Sequence, residues 1–131
     1  MVNVLVVEDE EDLRNLLIDQ LQDKGCIVRK ADNGAVVLKR VAEYRPDIIF
    51  VDIQMPVMDG FLFISELQES PDTFDIPVVI VSAIGIPDVR ARGEALGVKA
   101  ILRKPWEQWE LDLAIEQTRM QLKLEWEIPS L

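Results

Sequence analysis

Five short aliphatic runs, each separated from the next by a stretch long enough for a helix, constrain this chain more than any other feature. They are Val4-Leu5-Val6-Val7, Cys26-Ile27-Val28, Ile48-Ile49-Phe50-Val51, Val78-Val79-Ile80-Val81 and Ala100-Ile101-Leu102. The runs are rich in β-branched residues, and three are nearly continuous, the pattern of strands whose two faces are both covered by helices. Between them, Leu13, Leu16, Leu17 and Leu21 make one helical stripe that Gly25 stops. Asn33 reads as the N-cap of a second helix carrying Val37, Leu38 and Val41 and ending before Pro46. A third helix is expected from Asp59-Gly60, presenting Phe61, Ile64 and Leu67. A shorter fourth is expected over Pro87 to Leu96, with Gly97 after it, and a long fifth from beyond Pro105 to about Leu124. Strand and helix alternating five times predicts an α/β fold, a doubly wound parallel sheet with right-handed crossovers. No repeat, low-complexity tract or linker interrupts it before residue 125.

Composition narrows the function. Lys and Arg number 14 against 24 Asp and Glu, a formal charge of -10. Such a balance disfavours direct nucleic-acid binding, which relies on basic side chains, and docking on an anionic membrane. With no histidine, the chain has no Ser-His-Asp or Cys-His centre, no His-ligated zinc and no phosphohistidine of its own. The lone Cys26 forms no internal disulfide, which fits a reducing compartment. Val4 to Val7 is too short for a signal peptide or membrane span and runs directly into acids. The expectation is a soluble, cytoplasmic protein.

In open α/β sheets, ligands bind beyond the carboxyl ends of the strands. Those ends carry Glu8-Asp9 after the first run, Asp52 after the third, Ser82 after the fourth and Arg103-Lys104-Pro105 after the fifth. One crevice would then hold three carboxylates, a hydroxyl and an ammonium. Clustered carboxylates repel, and a hard divalent cation such as Mg²⁺ relieves them with oxygen ligands. Around a cation, Lys104 and Ser82 a phosphoryl group is well accommodated, and Asp52, central in the set, is the natural nucleophile for an aspartyl phosphate. Each residue also has a plainer reading. The run Glu8 to Asp12 complements a helix macrodipole, Asp52 suits a strand-end turn, Ser82 a helix cap and Lys104 a surface charge. Their joint occurrence at four strand ends favours the functional reading.

The segment from Val51 to Gly60, V-D-I-Q-M-P-V-M-D-G, resembles the phosphoacceptor motif of response regulator receiver domains of two-component signalling. Glu8-Asp9 resembles that family's acidic pair, Ser82-Ala83 its hydroxyl-small pair and Lys104-Pro105 its lysine-proline pair, whose peptide bond is typically cis. The resemblance spans about residues 1 to 120. It implies the flavodoxin-like strand order 2-1-3-4-5 with five flanking helices, a receiver domain over 1-122 and a C-terminal extension over 123-131. It further implies that Asp52 accepts a phosphoryl group from a phosphohistidine on a sensor histidine kinase or histidine phosphotransfer protein. Mg²⁺ would be held by Asp9, the Asp52 side chain and the Gln54 carbonyl, with Glu8 acting through water, while Ser82 and Lys104 hold the phosphoryl oxygens. The surface of the fourth helix, fifth strand and fifth helix would then switch. No enzymatic turnover is implied beyond self-phosphorylation and slow autodephosphorylation.

The sequence departs from that family where an aromatic usually stands three residues before the lysine. Ile101 is there instead, so readout is expected through the backbone or through Trp106. Ile84, apolar and near the phosphoryl position, implies a long-lived phosphoryl group. On the fifth helix Leu111, Ile115 and Leu122 form one stripe, and Trp109, Leu113, Met120 and Leu124 a second. The second reads as a homodimer contact or a continuation into another domain, or else as a wide core-facing surface. Trp126 and Ile128 fit a unit excised from a larger protein and equally a free-standing regulator. Three other readings compete with this one. A phosphotransferase-type hydrolase lacks its second acid at Gln54. A flavin-binding module would meet repulsion from Glu8 to Asp12. A degenerate receiver, acting as a phosphorylation-independent interaction module, rests on Ile101 alone.

Overall fold

The computed structural model describes residues 2-31, 34-55, 59-83, 87-98 and 100-121. In chain order the elements are β1 (Asn3–Val7), α1 (Glu11–Asp23), β2 (Ile27–Ala31), α2 (Gly34–Glu43), β3 (Ile48–Asp52), α3 (Gly60–Glu69), β4 (Val78–Ala83), α4 (Val89–Ala95), β5 (Ala100–Lys104) and α5 (Gln108–Gln121). All sheet pairings are parallel, in the order β2-β1-β3-β4-β5. Each strand coincides with one apolar run, β2 beginning one residue after Cys26, and the expected doubly wound sheet and its order are observed.

β1, β3 and β4 bury both faces, whereas the edge strand β2 is largely exposed. One apolar layer joins Val4, Val6, Ile48, Phe50, Val81 and Leu102 to residues of α1 and α5. The other joins Leu5, Val7, Ile49, Val51 and Ile80 to residues of α2, α3 and α4. Successive strand residues point to opposite faces, so even-numbered and odd-numbered residues of β1 and β3 divide between the two layers. A fully enclosed aliphatic or aromatic side chain contributes about 1.5–3 kcal/mol through removal from water. Phe50, Ile48 and Ile49 are completely buried.

The helices begin and end as local chemistry dictates. The Asp59 carboxylate accepts a hydrogen bond from the Phe61 N–H at 2.7 Å, capping α3. Gly25 and Gly97 follow α1 and α4 at φ 87° and 81°, left-handed values that glycine adopts without strain. Two expected stripe members lie outside the core: Leu16 is 43% exposed and Leu38 41%. Both sit at the margin of a stripe whose centre, Leu17 and Leu21 in α1 and Val37 and Val41 in α2, suffices to cover the sheet. On α5, Leu111 and Ile115 are buried while Trp109 and Leu113 are 64% and 51% exposed. A wide core-facing stripe is thereby excluded for these two. Asn33, Ile84, Leu122, Leu124 and the 123-131 extension lie outside the described residues, as does the side chain of Met120. No helix among the described residues is long and apolar enough to cross a membrane.

Candidate functional site

Strand register builds the site. Val7 of β1 stands level with Val51 of β3, so the next residues, Glu8 and Asp52, emerge side by side. Pleat parity then selects a face. The row Val4-Val6 continues to Glu8, Ile48-Phe50 to Asp52 and Ala100-Leu102 to Lys104, all extending the α1/α5 layer. Three charged groups thus cap three apolar rows. Lys104 Nζ lies 2.7 Å from Glu8 Oε1 and 3.1 Å from Asp52 Oδ2, bridging two acids from the far edge strand. Asp52 Oδ1 accepts from the Gln54 N–H at 3.0 Å, and Glu8 Oε2 from the Glu10 N–H at 3.2 Å.

Burial makes these charges costly. Glu8 is 2% and Asp52 3% exposed, whereas Asp9 is exposed. Glu8 is therefore no solvated helix start, although its neighbours Glu10 to Asp12 are exposed. Desolvation, opposed by Lys104 and reinforced by the adjacent Asp52 charge, pushes the Glu8 carboxyl up to about 7. Burial alone would lower the Lys104 ammonium, but its contacts with Glu8 and Asp52 outweigh burial and raise it. Carboxylate oxygens of Glu8, Asp9 and Asp52 lie within 4.8 Å of one another. An all-oxygen donor set, with one carboxyl already driven towards protonation, fits a hard divalent cation such as Mg²⁺. A depression of about 450 Å³ beside it is lined by Asp9, Ile53, Gln54, Met55 and Asp59.

Gln54 and Asp59 to Gly60 close against each other at the end of β3. Gln54 bridges Asp59, and the Gly60 N–H donates to the Ile53 carbonyl at 3.2 Å. A Cβ on Gly60 would lie 2.5 Å from Ile53 Cα and 2.6 Å from the Asp52 carbonyl oxygen. Only glycine allows α3 to approach the strand that carries Asp52 so closely.

Ser82 stands apart. It lies within β4, in the row Val78-Ile80 that belongs to the opposite layer. Its hydroxyl donates to the Ala83 carbonyl at 3.1 Å and, among the described residues, to none of the three carboxylates. Ile101 packs partly buried against that same layer. The peptide bond between Lys104 and Pro105 is cis. Trp106, buried, donates from Nε1 to Gln20 Oε1 at 2.8 Å. Lys24 and Asp112 form a second tie between the ends of these elements.

Arg14 escaped the sequence reading. It is buried, and its Nη1 donates to the Glu8 carbonyl at 3.3 Å, clasping the turn that presents Glu8 and Asp9. The available signal was positional. Arg14 precedes Leu17 by three residues and Leu21 by seven, a core-facing place for a cation.

Comparison with known proteins agrees with this geometry. A family model described as the response regulator receiver domain matches residues 4–116. The chemotaxis protein CheY of Halobacterium salinarum is 32% identical over 107 residues, covering 80% of this chain and 86% of that protein. A protein-glutamate methylesterase/protein-glutamine glutaminase of the same organism is 37% identical over 102 residues, covering 77% of this chain but 28% of that protein. Thus the chain spans under a third of the length of that larger relative. Among solved structures, the Vibrio cholerae chemotaxis protein CheY4 superposes with a TM-score of 0.82 at 29% identity, covering 90% of this chain and 98% of that one.

Proposed function

The chain belongs to the response regulator receiver domain family of two-component signalling, and on that premise we propose that it is a phosphorylation-operated switch with Asp52 as phosphoacceptor. The observation carrying this reading is the Lys104 bridge. One ammonium holds Glu8 and Asp52 together at 2.7 and 3.1 Å in a buried crevice, which orients an Asp52 oxygen and keeps a cation beside it.

In the proposed step, an Asp52 carboxylate oxygen attacks the phosphorus of a donor phosphohistidine on a sensor kinase or phosphotransfer protein. The P–N bond breaks, and the imidazole leaves with the electron pair and takes a proton. Bound Mg²⁺ would offset charge on the phosphoryl oxygens. Asp9, Asp52 and the Gln54 carbonyl would hold it, with Glu8 acting through water. Lys104 exchanges its carboxylate partners for a phosphoryl oxygen, and the Ser82 hydroxyl leaves the Ala83 carbonyl for another. Movement of Ser82 displaces the end of β4 and with it α4, while movement of Lys104 is felt two residues on at Trp106, which is bonded to α1. Through these shifts the α4-β5-α5 surface changes between two states.

The receiver domain is proposed to occupy residues 1-122 of a cytoplasmic protein, with 123-131 as its extension. Exposed Trp109 and Leu113 on α5 support a homodimer contact along that helix. The family resemblance puts an apolar residue, Ile84, at a position that flanks the phosphoryl group, and the phosphoryl group is proposed to be long-lived. Phosphorylation-independent scaffolding is not favoured, because it leaves a buried, charge-strained cluster without a purpose. Acetyl phosphate with and without Mg²⁺, followed by intact mass, tests the proposal. Gain of one phosphoryl group only with Mg²⁺ supports it, and no gain under conditions that preserve acyl phosphates overturns it.

A further inference from the structure

Positive charge is scarce in a chain of net charge -10, yet a share of it gathers along one edge of the sheet. β2 is an edge strand, paired only with β1 among the described residues. The Ile27 N–H donates to the Val2 carbonyl at 2.9 Å, and the Ala31 carbonyl accepts from the Glu8 N–H at 3.3 Å. Backbone groups alternate in direction along a strand. Ile27, Arg29 and Ala31 therefore face β1, and Val28 and Lys30 direct their N–H and C=O groups away from the sheet.

A concavity of about 390 Å³ follows this edge, lined by Asn15, Ile18, Val28, Arg29, Lys30 and Arg40. The lining holds three cations and no carboxylate. Val28 packs with the α1 layer and Ala31 with the α2 layer, so Lys30 flanks the edge on one face and Arg29 on the other. Arg29 is steadied over the Tyr44 ring, 4.0 Å from its centroid. Arg40 is only loosely engaged by Glu43, at 3.9 Å. Ile18 and Val28 add an apolar floor.

Charges on an edge strand ordinarily discourage pairing. Here all the lining charges have one sign, so they discriminate between partners. A second copy of the same edge would set Arg29 and Lys30 against themselves, whereas an acidic chain meets complementary charge on both faces. We propose that the β2 edge is a docking site for an extended acidic segment of a partner protein, which joins the sheet as a sixth strand through the outward backbone groups of Val28 and Lys30. The site is separate from the phosphorylation crevice and independent of whether Asp52 is modified.

An eight-residue peptide alternating Glu and Val, titrated into the ¹⁵N-labelled full chain, tests this. Saturable binding is expected, with slowed amide exchange at Val28 and Lys30, whose N–H groups point outward, and not at Ile27 or Arg29, which already face β1. Joint replacement Arg29→Glu and Lys30→Glu is expected to weaken binding about tenfold or more. Lys30→Pro removes an outward N–H at an edge position where proline is tolerated; it should abolish the added protection with little change in melting temperature. Absence of saturable binding overturns the proposal, as does binding without protection at Val28 and Lys30. Equal binding by the charge-reversed variant, or by a peptide with Lys in place of Glu, also overturns it. So does binding of a single-stranded oligonucleotide where the acidic peptide fails.

Discussion

The body of β3 and its last residue obey opposite rules. Ile49, Phe50 and Val51 are wholly enclosed by apolar neighbours, and their contribution is generic: another residue of similar shape and volume would serve. Asp52 is almost equally enclosed, but both its oxygens are committed, one to the Gln54 N–H and one to Lys104. Beside it Glu8 is held against its own solvation. The strand body lowers the free energy of the fold, whereas the strand end stores unfavourable charge that a bound divalent cation would relieve. Function is written where local rules of burial are broken.

The largest expected effects separate those two regions. Phe50→Ala should destabilise the protein by about 3–5 kcal/mol, read by denaturant unfolding, while folded molecules still take up a phosphoryl group. Asp52→Asn should do the reverse. Phosphoryl uptake disappears and stability is retained or raised, because one member of a repelling cluster is gone. Undiminished phosphorylation of Asp52→Asn would break the comparison.

Gly60 joins the two regions, so its substitution should disturb both. Gly60→Ala places a Cβ against Ile53 Cα and the Asp52 carbonyl and should cost about 1–3 kcal/mol. Phosphorylation by acetyl phosphate should slow in the same variant, and a full rate despite the lost stability would uncouple α3 from the acceptor strand.

The pH dependence of stability isolates Glu8 within the strand-end cluster. In divalent-free buffer, Glu8 in the folded protein keeps a proton that the unfolded chain releases, between 4.5 and about 7. Its stabilising contribution is full below 4.5 and is lost as pH rises through about 7. Glu8→Gln should flatten that decline in urea unfolding measured across this window. An unchanged slope would mean that the strain resides elsewhere. The smallest effect belongs to the far end of Lys104's segment. Gln20→Ala removes the partner of the buried Trp106 N–H and should cost about 1 kcal/mol, with a change in tryptophan emission as the sensitive readout.

The strands were legible because apolar runs bounded by polar residues mark them, although the run on β2 belongs to a largely exposed edge strand, and their order followed from the family resemblance. Helix existence was legible too, but the width of each stripe was not. Leu16 and Leu38 have the spacing of core residues, and only the packed sheet decides that Leu17 and Val37 fill the space. At the site, the acid run Glu8 to Asp12 reads uniformly, yet the fold buries Glu8 and leaves Asp9 in water, a distinction set by the turn after β1. Ser82 lies at the same end of the sheet as Glu8, Asp52 and Lys104, but strand ends alone do not tell which face of the pleat a residue takes. Counting by twos along Val78 and Ile80 assigns Ser82 to the other face. Arg14 was hidden because a cation in a helix is ordinarily taken as surface.

Borohydride reduction of the phosphorylated protein, followed by peptide sequencing, locates the phosphoryl group, because hydride converts an aspartyl phosphate to homoserine at the residue that carried it. Homoserine is expected at position 52 after treatment with phosphodonor and Mg²⁺, and none without the donor. Homoserine at Asp9 or Asp59 instead, or at no position in a protein that has gained a phosphoryl group, would contradict Asp52 as the phosphoacceptor.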